Sequence, residues 1–256
     1  MTDDVALSEV LPWLGMVHAC GPCQPLIDWL SARGETSSLA QAWSACPDGV
    51  WLAWLVADLP LKPRERTLIA VAAARTALPD APEWDRNAVA EHLATLDAWV
   101  RGEATGAARD ASREALGAMR DRAWRASARS TEQGLRRAAF AVSACHAAFF
   151  AGDTESYAAE SVFHAANHAW KAAWRNDYSL RDVREREIAD VIRGALPLGV
   201  MLRALRASAS TANWMLATLR DVAGAGETAD DDHEGGAAPL STEKRREQLR
   251  LFADSL

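Results

Sequence analysis

The residues most able to do chemistry begin with Cys20-Gly21-Pro22-Cys23. Two cysteines around Gly-Pro form the thioredoxin redox string, which works by lowering a thiol pKa at a helix N-terminus. That motif belongs after a strand in a βαβ setting. No stretch here reads as a strand, so the string is expected to be a Gly-Pro break between two helices carrying two small thiols. The same pair could supply half a zinc site, with His18 and Cys46 as the nearby candidates. Structural zinc sites usually come as matched ligand pairs, and there is no second C-x-x-C. A second constellation is Glu160, His164 and His168, four apart on one helix face and at metal-ligand spacing. Asn167 and Lys171 share that stripe, and a solvated polar flank accounts for it. Cys145-His146 suggests a nucleophile and its base. Neighbouring helical residues point about 100° apart, however, and do not face each other. His92, beside Glu91, reads as a surface residue. The expectation is no catalytic residue, no bound metal and no cofactor.

Other chemistries lack their motifs. Phosphate-cradling glycine loops, an EF-hand loop and a G-x-S-x-G elbow are absent. A carboxylate-bridged di-metal bundle would need paired Glu-x-x-His motifs. Glu160 to His164 is one residue too long, and Glu91-His92 is adjacent. Arg120, Arg122, Arg125 and Arg129 surround Trp124, a combination that could suit nucleic acid. Asp110, Glu114 and Asp121 are interleaved with them, which favours a solvated helix laced with i, i+4 pairs. The net charge of −7 also argues against a general nucleic-acid binder, and no direct nucleic-acid contact is expected.

The elements that must position these residues are helices. Alanine is abundant, β-branched residues are sparse, and 49% of the 256 residues are apolar. Pro, Gly and capping residues divide the chain into helices at about 5–19, 23–33, 38–46, 49–59, 64–77, 84–101, 106–128, 132–150, 154–175, 180–194, 198–222 and 241–254. Ser37 or Ser38, Asp48, Thr131 and Asp153 are the expected N-caps. The segment at 49–59 is apolar all round, which marks a central helix. Leu135, Ala139, Val142 and Phe149 form one apolar stripe. Val162, Phe163, Ala166, Trp170, Ala173 and Trp174 form another. The expected fold is all-α: a multi-helix bundle of about eleven helices over residues 1–222, a flexible Gly- and Asp-rich linker at 223–240, and a C-terminal helix at 241–256. That last helix could dock on the body or mediate self-association. The longest fully apolar run, Val50 to Ala57, is far short of the roughly 20 residues a bilayer span needs. The acidic start Met1-Thr2-Asp3-Asp4 does not resemble a secretory signal. Four Cys in such a chain suit reduced thiols, so a cytoplasmic protein with no membrane contact is expected.

The chain holds 11 Trp, and Trp29, Trp43, Trp51 and Trp54 fall close together. A Trp-rich core between the second, third and fourth helices is expected, since each ring buries a large area. These residues also carry a likeness. Ala19-Cys20, Leu26, Trp29-Leu30, Ala42-Trp43, Cys46, Trp51-Leu52 and Trp54-Leu55 resemble the pattern of certain all-helical, Trp-bearing immunity proteins encoded beside toxins of bacterial polymorphic toxin systems. The likeness covers mainly residues 18–60, with Asp97-Ala98-Trp99 and Gly102-Glu103 as weaker echoes. The Cys-Gly-Pro-Cys string, the acidic linker and the C-terminal helix depart from it. The resemblance implies binding and blocking of a cognate toxin domain, with no catalytic residues to carry over.

Charge is compatible with that function. Residues 1–60 carry a net −6, residues 101–150 a net +4 and residues 222–256 a net −4. Toxin domains that cut nucleic acid are commonly basic, and an acidic patch would steer association. Asp28, Glu35, Asp48 and Asp58 are the candidate partner-binding residues, although Asp48 is equally suited to capping. Two other classes remain: a helical scaffold or adaptor in a bacterial defence or secretion assembly, docking through the C-terminal helix, and a helical-bundle enzyme with a metal or small-molecule pocket.

Overall fold

A computed structural model describes residues 24–32, 38–57, 59–153, 157–174 and 179–208. All lie within the first of the two units into which the chain divides, Met1–Ala212. The expected helices at 5–19 and 241–254 and the linker at 223–240 fall outside the described residues, as does the second half of 198–222.

The described residues form ten α-helices and no strand. They are α1 (Gln24–Ser31), α2 (Leu39–Ala45), α3 (Gly49–Ala57), α4 (Pro63–Arg75), α5 (Glu83–Arg101), α6 (Gly106–Ala128), α7 (Gln133–Ala148), α8 (Tyr157–Trp174), α9 (Ser179–Ala195) and α10 (198–208). Short 3-10 turns at Leu78–Asp80 and Phe149–Gly152 follow α4 and α7.

Local chemistry sets the ends. Ser38 and Gln41 form a capping box on α2: the Gln41 amide donates to Ser38 Oγ, and the Ser38 amide donates to Gln41 Oε1 at 2.8 Å. Asp48 Oδ1 accepts from Val50 N at 2.8 Å and Trp51 N at 3.1 Å, satisfying two orphan amides at the start of α3. Pro63 opens α4 at a position where a missing N–H costs nothing. Gly102, at φ 82°, closes α5 in the left-handed conformation that a side chain resists. One expected cap differs: the N-cap of α7 is Glu132 without a side-chain bond, while Thr131 lies outside it. Asp153 is engaged by Arg109 at 3.0 Å and Arg113 at 3.2 Å, and the residues it is expected to cap, 154–156, lie outside the described residues.

The core is built from small residues that let helices approach closely. Ala165, Ala166, Ala169 and Ala172 of α8 are completely buried, as are Ala141, Ala144 and Ala148 of α7 and Ala70, Ala73 and Ala74 of α4. Helix α8 is the hub, packing against α3, α4, α7 and α9. Helix α3, apolar all round, is the buried helix its composition implies, with Leu52, Ala53, Leu55 and Val56 inside. Its first residue, Gly49, lies so close to Ile188 and the Ala189 backbone of α9 that an added Cβ would sit 2.4–2.5 Å from them. Around this core, arginines tie distant segments together. Asp80 accepts from Arg137 of α7 and from Arg184 of α9, the latter at 3.0 Å. Arg193 donates to the carbonyls of Trp43 and Cys46, closing the C-terminal end of α2.

Candidate functional site

The Cys46 thiol, buried beside α3, donates to the Asp48 carbonyl at 3.6 Å. Cys20, Cys23 and His18, the remaining members of the zinc candidate, lie outside the described residues. Cys145 and His146 part company as their helical spacing requires. The Cys145 thiol turns toward the Ala74 carbonyl of α4, and burial pushes its pKa up to about 12. His146 turns toward α6 and meets Arg120. The pair is not a dyad. Glu160 stands 3.9 Å from His164, and no group of three or more His, Cys, Asp or Glu among the described residues could hold a metal ion.

The acidic candidates scatter. Asp28 is exposed on α1. Asp48 is turned inward as a cap, 9% exposed, and burial raises its pKa to about 6 against the pull of the two backbone amides. Its carboxylate caps α3. Glu35 and Asp58 fall outside the described residues.

What the fold does assemble is a cleft of about 550 Å³ between α6, α7 and α8. Helix α6 contributes Arg120 and Trp124, one turn apart. Helix α7 and its 3-10 extension contribute Ser143, His146 and Phe150. Helix α8 contributes His164, Asn167, His168 and Lys171, spaced i, i+3, i+4, i+7. The stripe that reads as a solvated flank in the sequence thus lines a cavity. The basic run around Trp124 also splits: Arg120 enters the cleft, whereas Arg122 reaches Asp85 of α5 at 3.7 Å.

Aromatic and polar contacts hold these side chains in place. Phe140 packs edge-on against Trp124 with centroids 5.0 Å apart, and against His168 at 5.9 Å. Trp124 Nε1 donates to Ser143 Oγ at 2.9 Å, and that hydroxyl donates to the Ala139 carbonyl at 2.7 Å. His146 meets Phe150 edge-on at 5.0 Å. The absence of a side chain at Gly117 makes room for His146, whose Nε2 lies 3.2 Å from where a Cβ would stand.

The electrostatics follow from burial. Arg120 Nη1 is 3.0 Å from His146 Nδ1. A guanidinium only donates, so Nδ1 accepts and the imidazole proton resides on Nε2. Burial, and then the Arg120 charge, lower the His146 pKa to about 4. Burial, then Lys171, His164 and Arg120, lower that of His168 to about 4. The Nδ1 atom of His168 is shut off from solvent without a hydrogen-bond partner. At neutral pH both rings are uncharged, and the positive charge of the cleft resides on Arg120 and Lys171. Asp121 holds the outer edge of Arg120 at 2.8 Å. The Lys171 ammonium lies 5.9 Å from the Phe140 ring.

Most described residues of the N-terminal Trp/Cys pattern pack into the core. Leu26, Leu30, Ala42, Trp43, Cys46, Leu52 and Leu55 are buried in one apolar cluster. Trp29 and Trp51 lie half-buried at its rim with centroids 6.3 Å apart. Comparison of the chain with protein-family models, curated proteins and solved structures finds no match. Among the described residues no helix is long and apolar enough to cross a membrane.

Proposed function

We propose that the chain acts by stoichiometric binding and neutralises a cognate bacterial toxin domain, as an immunity protein. The observation that carries the binding reading is Trp84. It stands 77% exposed in the first turn of α5, beside the exposed Glu83 and the half-buried Asp85. A tryptophan left in water costs apolar hydration that burial in a partner would recover, and Trp is the residue type most enriched among binding hot spots. The choice of a toxin as partner comes from the resemblance of residues 18–60. Acidic residues elsewhere on the chain would steer a basic toxin domain by long-range attraction. Asp28, Glu35 and Asp58 are the acids proposed for that role, and Asp48 is not, because capping occupies it. A cytoplasmic site of action fits this function.

The test is co-expression with the product of the adjacent gene, scoring cell survival and co-purification. The product should kill alone and be tolerated with this chain present. Trp84→Ala should abolish protection while leaving the helical circular dichroism signal unchanged. Raising salt should slow association more than it speeds dissociation. A product that is harmless alone, or that kills equally well in the presence of this protein, would sink the toxin reading and favour an adaptor acting through residues 241–256.

A further inference from the structure

We infer that the cleft between α6, α7 and α8 binds a small aromatic organic anion, its carboxylate or phosphate seated between Arg120 and Lys171 and its ring against Trp124 and Phe150. The inference is independent of the toxin reading and survives its failure.

Three observations carry it. The first is charge. None of the side chains lining the cleft is an acid, while two are permanent cations reaching in from different helices. Both lie near enough to His168 to disfavour its protonation. Two charges of one sign facing one cavity favour the entry of an anion. Asp121 compensates Arg120 from the exposed side. Among the described residues no acid lies within ion-pair distance of Lys171.

The second is fixed geometry. Arg120 is held on both sides, by Asp121 through Nε and Nη2 and by His146 through Nη1. A guanidinium oriented in this way loses little freedom on meeting an oxyanion. Trp124 is held likewise by Ser143 and Phe140. The site is thus formed before any ligand enters.

The third is size and lining. A volume of about 550 Å³ lies within the range of small-molecule sites. Such sites combine aromatic walls with a few placed polar groups, here Asn167 and the imidazoles of His146, His164 and His168. The neutral rings of His146 and His168 leave the cleft able to donate hydrogen bonds to a ligand without adding charge.

The experiment follows the histidine ring resonances of the full chain by NMR during titration with two probes, phenylacetate and adenosine 5′-monophosphate. Phenylacetamide and adenosine serve as uncharged counterparts. At least one anion should shift the His146, His164 and His168 signals saturably, with its uncharged counterpart at least tenfold weaker. The head group that binds identifies carboxylate or phosphate as the recognised anion. Lys171→Met should weaken binding at least tenfold. Asn167→Asp, which adds a negative charge at nearly constant volume, should do the same and reports independently should the lysine variant fold poorly. Absence of saturable shifts with both anions, equal affinity for charged and uncharged probes, or wild-type affinity in Asn167→Asp would each overturn the assignment.

Discussion

Removing the imidazole of His146 tests the electrostatic account of the cleft. The side chain is 8% exposed, and its pKa is lowered from 6.5 to about 4 by burial and by Arg120. In the unfolded chain the same group takes up a proton near pH 6.5. Between those two values the unfolded state binds more protons than the native one, so stability falls as pH falls. The contribution is fully present above pH 6.5, is lost progressively down to about pH 4, and changes no further below that. At about 1.4 kcal/mol per pKa unit, the loss across this window is roughly 3 kcal/mol. Asp48 opposes it: its pKa is raised to about 6, so its protonation below that value stabilises the native state. His168, lowered to about 4 as well, acts in the same direction as His146, so the wild-type pH profile blends effects of opposite sign and the variant difference is the informative quantity. His146→Gln keeps an oxygen that can accept from Arg120 and removes the titration. Urea unfolding at pH 7 and pH 4 should show the variant gaining roughly 3 kcal/mol relative to wild type at the lower pH. Direct NMR titration should place His146 at least two units below an ordinary histidine. A His146 that titrates near 6.5, or a pH-independent difference between the two proteins, would refute the argument from burial.

Two further outcomes test the packing. Gly49→Ala should destabilise the fold by about 1–3 kcal/mol in thermal unfolding, because a Cβ would lie 2.4 Å from Ile188 and 2.5 Å from the Ala189 backbone nitrogen. An unchanged or raised Tm would show that α3 and α9 do not meet there. Asp48→Asn should be at least as stable as wild type at pH 7, since Asn caps equally well and carries no buried charge. That advantage should fade as pH falls from about 6 toward 3.8, where Asp48 itself becomes neutral; a variant clearly less stable at pH 7 would show the charge to be stabilising.

The all-helical class was legible in the residues themselves, and so were several helix ends. Ser38, Asp48, Pro63 and Gly102 act through bonds and backbone angles within a few positions of themselves, so local sequence contains the whole cause. The burial of most of α3 was equally legible, because a helix apolar on every side has no polar face to give to water; Val50, Trp51 and Trp54 nonetheless stay half-buried. Partnership between helices is a different kind of information. The stripe of His164, Asn167, His168 and Lys171 has the same period whether it meets solvent or a neighbour, and its periodicity cannot choose. Only the packing of α8 against α7, and of α7 against α6, brings Arg120 and Trp124 opposite that stripe and turns three polar segments into one cleft. Burial then keeps His146 and His168 uncharged, a property that residue type alone does not contain. The sequence determined which elements form and several of the places where they stop, because those causes are local, whereas the end of α2 is closed by Arg193 from α9. Tertiary structure decided which polar faces are enclosed, because enclosure depends on what the rest of the chain places opposite them.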